Sequence, residues 1–390
     1  MSDQMIVGDS IRYLEYANNL SKGFYTDVQD PFLRNGPGYP LYLLPFEILR
    51  APQLVIVIGH VVLSFAAVLF FFHTLRLYLS FRAATFFSYC LGLYPVYLIN
   101  LPKILSESLT LVLVTGFLYL FLTSLRAETF LWKRATVAGV FLGMLLLTKF
   151  FFGYVAIAVL VICGVIFSWT RSSMTGRSVF IMIVGIVCFS PYLVYTYSLT
   201  DRMFYFGTNG GGQLYWMTSS LDGEHGNWIS SDKVFNLDEY NFDETHRDFY
   251  RSLEGLSRVE RDDALRAQAL VNLKANPTHY LKNWIASVSR LLFGFPYSFK
   301  MQTPRQLFFV VSNSLWIVPL LFSTVPAWHA RKQIPEEIWL ATGFVAVYLG
   351  GVSLISSIGR NMIPAMPFIL LWLSIIYCRI LRIDLRGADS

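Results

Sequence analysis

Residues 54–75 read LVIVIGHVVLSFAAVLFFFHTL, 22 positions without a charged side chain. At 1.5 Å per residue a helix of that length spans about 33 Å, enough to cross the hydrocarbon core of a bilayer. The rest of the chain has the same cast. Of its 390 residues 55% are hydrophobic and 14% charged, with a mean hydropathy of +0.50; a soluble domain carries roughly a quarter charged residues. Further apolar runs at 83–99, 107–125, 135–147, 150–168, 179–199, 306–326, 338–356 and 362–381 predict an all-α polytopic membrane protein of about nine transmembrane helices. His60, in the middle of the first run, reads as hydrogen-bonded packing. Cys90, Cys163, Cys188 and Cys378 all lie in apolar runs without metal-ligand spacing and read as small hydrophobes. Gly139 and Gly143 form a small-xxx-small pair suited to close helix contact.

The net charge of +6 is a matter of topology, not of nucleic-acid binding. Arg76, Arg82, Arg126, Lys133, Arg134, Arg171, Arg177, Arg331, Lys332, Arg379, Arg382 and Arg386 fall on one set of connections. The opposite short loops hold only Lys103, Lys149 and Arg360. By the positive-inside rule the first set is cytoplasmic, so the polar segment 1–53 and the polar insertion 200–305 are expected outside. Four parts follow: a first loop (1–53), about six helices (54–199), the insertion (200–305), and three helices with a cytoplasmic tail (306–390).

Within the insertion, Thr208-Asn209-Gly210-Gly211-Gly212 reads as a flexible run and Asp238 to Asp248 as an acidic region. Ser257 with Glu260 predicts a capping box opening a helix that Asn276-Pro277 ends. Tyr280, Trp284, Val288 and Leu291 then recur at helical spacing, as in an amphipathic helix at the membrane interface. The cluster Asp222-x-Glu224-His225-x-Asn227 is acidic but fits no full calcium-loop spacing.

The first loop carries Gly8-Asp9-Ser10-Ile11, Tyr13, Tyr16-Ala17 and Leu20, then Gly23-Phe24-Tyr25, then Arg34 and Pro37-Gly38-Tyr39-Pro40. This pattern resembles the first external loop of the GT-C membrane glycosyltransferases, in the branch of bacterial protein mannosyltransferases and lipid A aminoarabinose transferases. Lys103-Ile104-Leu105-Ser106-Glu107 is similar to the second acidic loop of that family. Gly359-Arg360-Asn361-x-x-Pro364-x-x-Pro367 is similar to its Arg-Tyr-x-x-Pro-x-x-Pro run, with Asn361 where Tyr often stands. Family members carry a transmembrane helix ahead of the first loop. The resemblance therefore implies such a helix upstream, because the sequence as given begins inside that loop.

The resemblance implies transfer of a sugar from a polyprenyl-phosphate-linked donor to a lipid, glycan or protein acceptor, with inversion. It further implies a multi-pass protein of the cell (inner) membrane with an extracytoplasmic active site, surrounded by membrane lipids and with no nucleic-acid partner. It fixes no cofactor and leaves room for a divalent cation. In it Asp9 is the base and Glu107 the second acid; the rival readings are helix capping for Asp9 and a macrodipole contact for Glu107. A phosphate leaving group needs cations. Arg360, Lys149, Lys103 and Arg34 are the candidates, against snorkelling to headgroups for Arg360. Tyr13, Pro37 and Tyr39 are expected to wall the sugar pocket, or simply to pack the loop. Two other classes fit the composition: a transporter or flippase for a lipid-linked or polar substrate, and a non-catalytic relative of the fold. Against transport, the sequence shows no obvious inverted repeat.

Overall fold

The computed structural model describes residues 8–221, 223–236, 244–296 and 304–381. Among them every regular element is helical. Six helices are long and apolar enough to cross a membrane: α3 (Gln53–Arg76), α6 (Glu107–Arg126), α8 (Phe151–Thr170), α9 (Ser173–Thr200), most of α15 (Pro304–His329), and the final stretch Gly359–Ile380. The chain is an all-α polytopic membrane protein.

The nine expected spans are not nine uniform helices. Segment 83–99 breaks into α4 (Phe81–Gly92) and α5 (Pro95–Asn100). Pro95 is the cause, since it cannot donate the hydrogen bond that would carry α4 onward. Segment 135–147 starts three residues earlier, as α7 (Trp132–Thr148), and 338–356 becomes α16 (Glu336–Ser353). Both run within the bundle, α7 against α6 and α9, α16 against α6 and α8.

The outer helices turn apolar side chains outward: Leu54, Val62 and Phe65 on α3, and Leu315, Phe322 and Trp328 on α15 are all exposed. In water such a surface would be a liability, whereas in lipid it is the natural exterior. Helix α6 is the central post, buried on nearly every side, as expected of a helix apolar all round. Gly139 and Gly143 face Val184 and Cys188 of α9, where any Cβ would collide. Arg177, expected in a cytoplasmic loop, lies inside α9 and donates to the carbonyls of Ser124, Leu125, Ala127 and Glu128. It thereby satisfies the C-terminal end of α6 with a charge of the favourable sign.

The opening segment folds as α1 (Gly8–Ser21) and α2 (Gly38–Ile48), packed together over one end of the bundle. The insertion supplies α10 (Gly210–Met217), α11 (Ser231–Asn236), α12 (Glu244–Ser252), α13 (Arg258–Ala275) and α14 (Pro277–Phe293). Helices α10 to α13 enclose a small core of their own around Tyr215, Trp216, Tyr250 and Leu265. The capping box at Ser257 and Glu260 is present. The glycine run is not a flexible linker: it opens α10, and its Gly211 N–H donates to Asp262 Oδ1 at 2.7 Å. Asp222 and much of the acidic region lie outside the described residues. Glu224 turns inward, accepting from Ser219 and pairing with His246 Nε2 at 2.6 Å.

On helix α14 Leu291 of the expected stripe is buried and Tyr280, Trp284 and Val288 are half-buried, with polar residues beside them. Asn283, Ser287 and Arg290 are buried, while Leu281 and Ile285 are exposed. Its inner face is polar because it grips backbone. Trp284 and Tyr280 reach Ser353 and the carbonyl of Leu354, and Ser287 reaches the carbonyl of Ile355.

Candidate active site

Four sequence-distant segments converge where α1 meets the end of the bundle that carries the start of α6. Asp9 lies inside the first turn of α1, so its carboxylate is not spent ahead of the helix as a cap. One oxygen accepts from Arg12, one turn on, and the other from Arg360. The other nitrogen of the Arg360 fork, Nη1, stands 3.8 Å from Glu107 Oε1, and Lys149 Nζ donates to that oxygen at 3.3 Å. One guanidinium thus holds both carboxylates, and a lysine answers the second. Burial alone would push the Asp9 carboxyl up, but the charges of Arg360 and Arg12 prevail and hold it below the usual carboxylate range.

Local structure accounts for each placement. Arg360 rides on the 3₁₀ segment Gly359–Ala365, which packs against α5, α6, α14 and α16. Tyr348 donates to the carbonyl of Asn361 at 2.9 Å. Just upstream of that segment the carbonyl of Ser357 accepts from Arg290, which is fully buried and also donates to the carbonyls of His225, Gly226 and Pro296. Lys149 occupies the junction between α7 and α8, against which Gly36 and Gly38 pack backbone to backbone. A Cβ on Gly38 would sit 2.7 Å from Thr148 N. The Pro37-Gly38 turn therefore has to be small at this point, and its closeness locks the junction that carries Lys149.

The remaining expected residues divide. Tyr13 is 3% exposed and pairs with Ser106 Oγ at 3.2 Å, tying α1 to the residue ahead of Glu107. Burial pushes its phenol up, out of the range for proton exchange near neutrality. Tyr39 is fully buried, packed edge-on to Tyr13 and bonded to His60 Nε2 at 2.9 Å. Both rings are buried and neither presents a face to open space; in this arrangement each braces the loop. Pro37 stands immediately ahead of α2 and shapes the turn. Lys103 donates to Asn100 in its own loop. Arg34 lies over the indole of Trp228, 4.2 Å from the ring centroid, toward the insertion. His60 is packed and hydrogen-bonded, as its sequence context indicated.

Sequence reading missed Arg12, Asn35 and Ser106. The Asp9-x-x-Arg12 spacing, one helical turn, was the available signal for the first. Asn35 joins Arg12 Nε to the hydroxyl of Tyr13, a link that only the fold creates. Glu107 Oε2 stands apart from these networks. It is buried and has no hydrogen-bond partner among the described residues, an arrangement that costs about 1–3 kcal/mol or more unless a ligand supplies a donor. A divalent cation suits the donor set poorly, because both carboxylates already answer Arg12, Arg360 and Lys149. Among the described residues no group of three or more His, Cys, Asp or Glu could hold a metal.

No protein-family model matches the chain, and no curated protein matches it. Among solved structures, ArnT from Cupriavidus metallidurans bound to undecaprenyl phosphate is similar to it. That similarity has 11% identity and a TM-score of 0.40, and covers 95% of this chain and 73% of that one.

Proposed function

We propose that the chain is an integral membrane glycosyltransferase acting on the extracytoplasmic side, with a polyprenyl-phosphate-linked sugar as donor, transfer by inversion, and Asp9 as the base. The single observation that carries this reading is the shared Arg360: one buried and one half-buried carboxylate and a lysine gather around one guanidinium at the edge of the helical bundle. Such a cluster is expensive unless used.

In the proposed step an acceptor hydroxyl attacks the anomeric carbon and the bond from that carbon to the phosphate oxygen breaks. The hydroxyl proton passes to Asp9, and the polyprenyl phosphate leaves with the bonding electron pair. Its growing charge is met by Arg360 and Lys149, which can form charge-assisted hydrogen bonds to phosphate oxygens. Glu107 Oε2, unsatisfied by protein, accepts a sugar hydroxyl and so orients the donor.

The pairing of Asp9 with Arg360 has a mechanistic consequence. A carboxylate held so far down is a weak base. When a donor phosphate competes for Arg360, Asp9 loses its strongest stabiliser and becomes more basic at the moment a proton has to be taken. Arg12 stays with Asp9 and keeps it oriented.

The test is transfer in detergent solution with the purified full chain and a polyprenyl-phosphate-linked sugar. Formation of a glycosylated product with stoichiometric release of polyprenyl phosphate is the expected result. A transporter or flippase has no two sides to connect in detergent and yields no product. A non-catalytic relative binds donor and leaves it intact.

A further inference from the structure

Beside the site, between α1, the loop after Phe32 and the insertion, lies a cleft of about 560 Å³, within the range of small-molecule sites. Its walls include Arg12, Arg34, Trp228, Ser230, Arg261 and Asp262. The charges there do not balance. Arg12 answers Asp9, Arg258 answers Asp30, and Asp262 is shared between Gly211 N–H and Arg266. Arg34 and Arg261 remain. Among the described residues neither side chain forms an ion pair or a hydrogen bond, and Arg261 Nε is buried with no partner. The guanidinium carbon of Arg34 lies over the Trp228 ring. Burial, with Arg12 close by, lowers its hold on the proton to about 10. Stacking uses the face of the guanidinium and leaves its in-plane donors for a planar or tetrahedral oxyanion, which the fork fits two oxygens at a time.

We infer that this cleft binds the acceptor and that the acceptor is an anionic saccharide, a sugar bearing a carboxylate or phosphate group. The inference rests on the glycosyltransferase reading above. Three features select the class. The unpaired arginines require negative charge. Trp228, Phe32 and Ile11 line it together with Ser230, Ser231 and Asn209, giving both apolar surface and hydrogen-bonding groups, as the faces and edges of a sugar ring demand. The cleft is walled by the polar insertion, so it suits a hydrated ligand better than a polyprenyl tail. Arg12 joins the two places: it lines the cleft and binds Asp9, so an acceptor seated on Arg34 and Arg261 presents a hydroxyl toward the base.

Saturation-transfer NMR on the full chain in detergent tests this, with methyl glucuronide and glucose 6-phosphate as anionic probes, methyl glucoside as the neutral one, and inorganic phosphate as the bare anion. The two anionic sugars separate carboxylate from phosphate as the group recognised, and binding of either supports the inference. The expected result is that at least one binds tenfold or more tighter than methyl glucoside, and that R34Q and R261Q each weaken it about tenfold. The two variants lie on different elements, the loop after Phe32 and α13, so a folding defect in one leaves the other to decide. Equal binding of anionic and neutral sugars, wild-type affinity in both variants, or inorganic phosphate binding as tightly as the sugars would overturn the inference. Thermal stabilisation by polyprenyl phosphate, read on the same wild-type sample, separates the two levels. If it is present while no anionic sugar binds, only the acceptor assignment falls; if it is absent, the donor reading falls and takes this inference with it.

Discussion

Two charged regions lie side by side on this protein, and they are built oppositely. Around Asp9 and Glu107 every charge has an answer: Arg12, Arg360 and Lys149 close the circuit. In the neighbouring cleft Arg34 and Arg261 have none among the described residues. A cluster whose charges are paired with one another can trade partners during a reaction. An unbalanced one is held in place by the fold at some cost and is relieved when an anion arrives. Under the proposed function the first region does chemistry and the second recognition, and substitutions on each side should separate accordingly.

The largest expected effect is in the balanced region. Arg360→Gln removes the group that holds both carboxylates and meets the leaving phosphate, so kcat should fall by about 100- to 1,000-fold, the scale for losing one positioned electrostatic donor. Steady-state transfer kinetics read it. A fall confined to the acceptor KM would instead move Arg360 into the recognition region.

The pH profile follows from the same pairing. Asp9 must be ionised to take a proton, so activity falls as pH drops through its titration, tenfold per pH unit at the limit. In the free enzyme Arg360 and Arg12 hold it below the usual carboxylate range, so the acid limb of kcat/KM for donor should lie below about pH 4. With donor bound and Arg360 engaged by phosphate, the limb of kcat should move upward. Coincident limbs would mean that Arg360 never leaves Asp9.

In the cleft the effect is smaller and falls elsewhere. Arg34→Gln should raise the KM for an anionic acceptor about tenfold, with donor KM unchanged, as the loss of one charge-assisted contact predicts. Smallest of all is Ser257→Ala, at the capping box of the helix that carries Arg261. It should lower stability by about 1 kcal/mol, measured by thermal unfolding, and leave the chemistry alone.

Legibility in the sequence divides along the same line. Apolar runs announced the long helices, because a span is a local property of some twenty consecutive residues. Ser257 with Glu260 announced a helix start for the same reason. Asp9, Glu107, Lys149 and Arg360 were legible as candidates because an ionisable group at the edge of an apolar run stands out. Their sharing of one guanidinium was not, since it joins residues 351 positions apart. The cleft was less legible still. Arg34 meets Trp228 only through the fold, and nothing local to Arg290 distinguishes a buried clamp of four carbonyls from an interfacial arginine. The glycine run misled because its partner, Asp262, lies 51 residues away. The bond that buries Tyr39 was not legible either, because His60, which takes its hydroxyl, lies on another helix.

The measurement closest to the central claim is single-turnover transfer by Asp9→Asn in membranes loaded with polyprenyl-phosphate-linked sugar, with donor binding read on the same sample. Asparagine keeps the shape and loses the proton acceptor. Transfer should drop by about 100- to 10,000-fold, the range for removing a general base, while donor still binds. Transfer at the wild-type rate would contradict the account, because the proton would then be going somewhere other than Asp9.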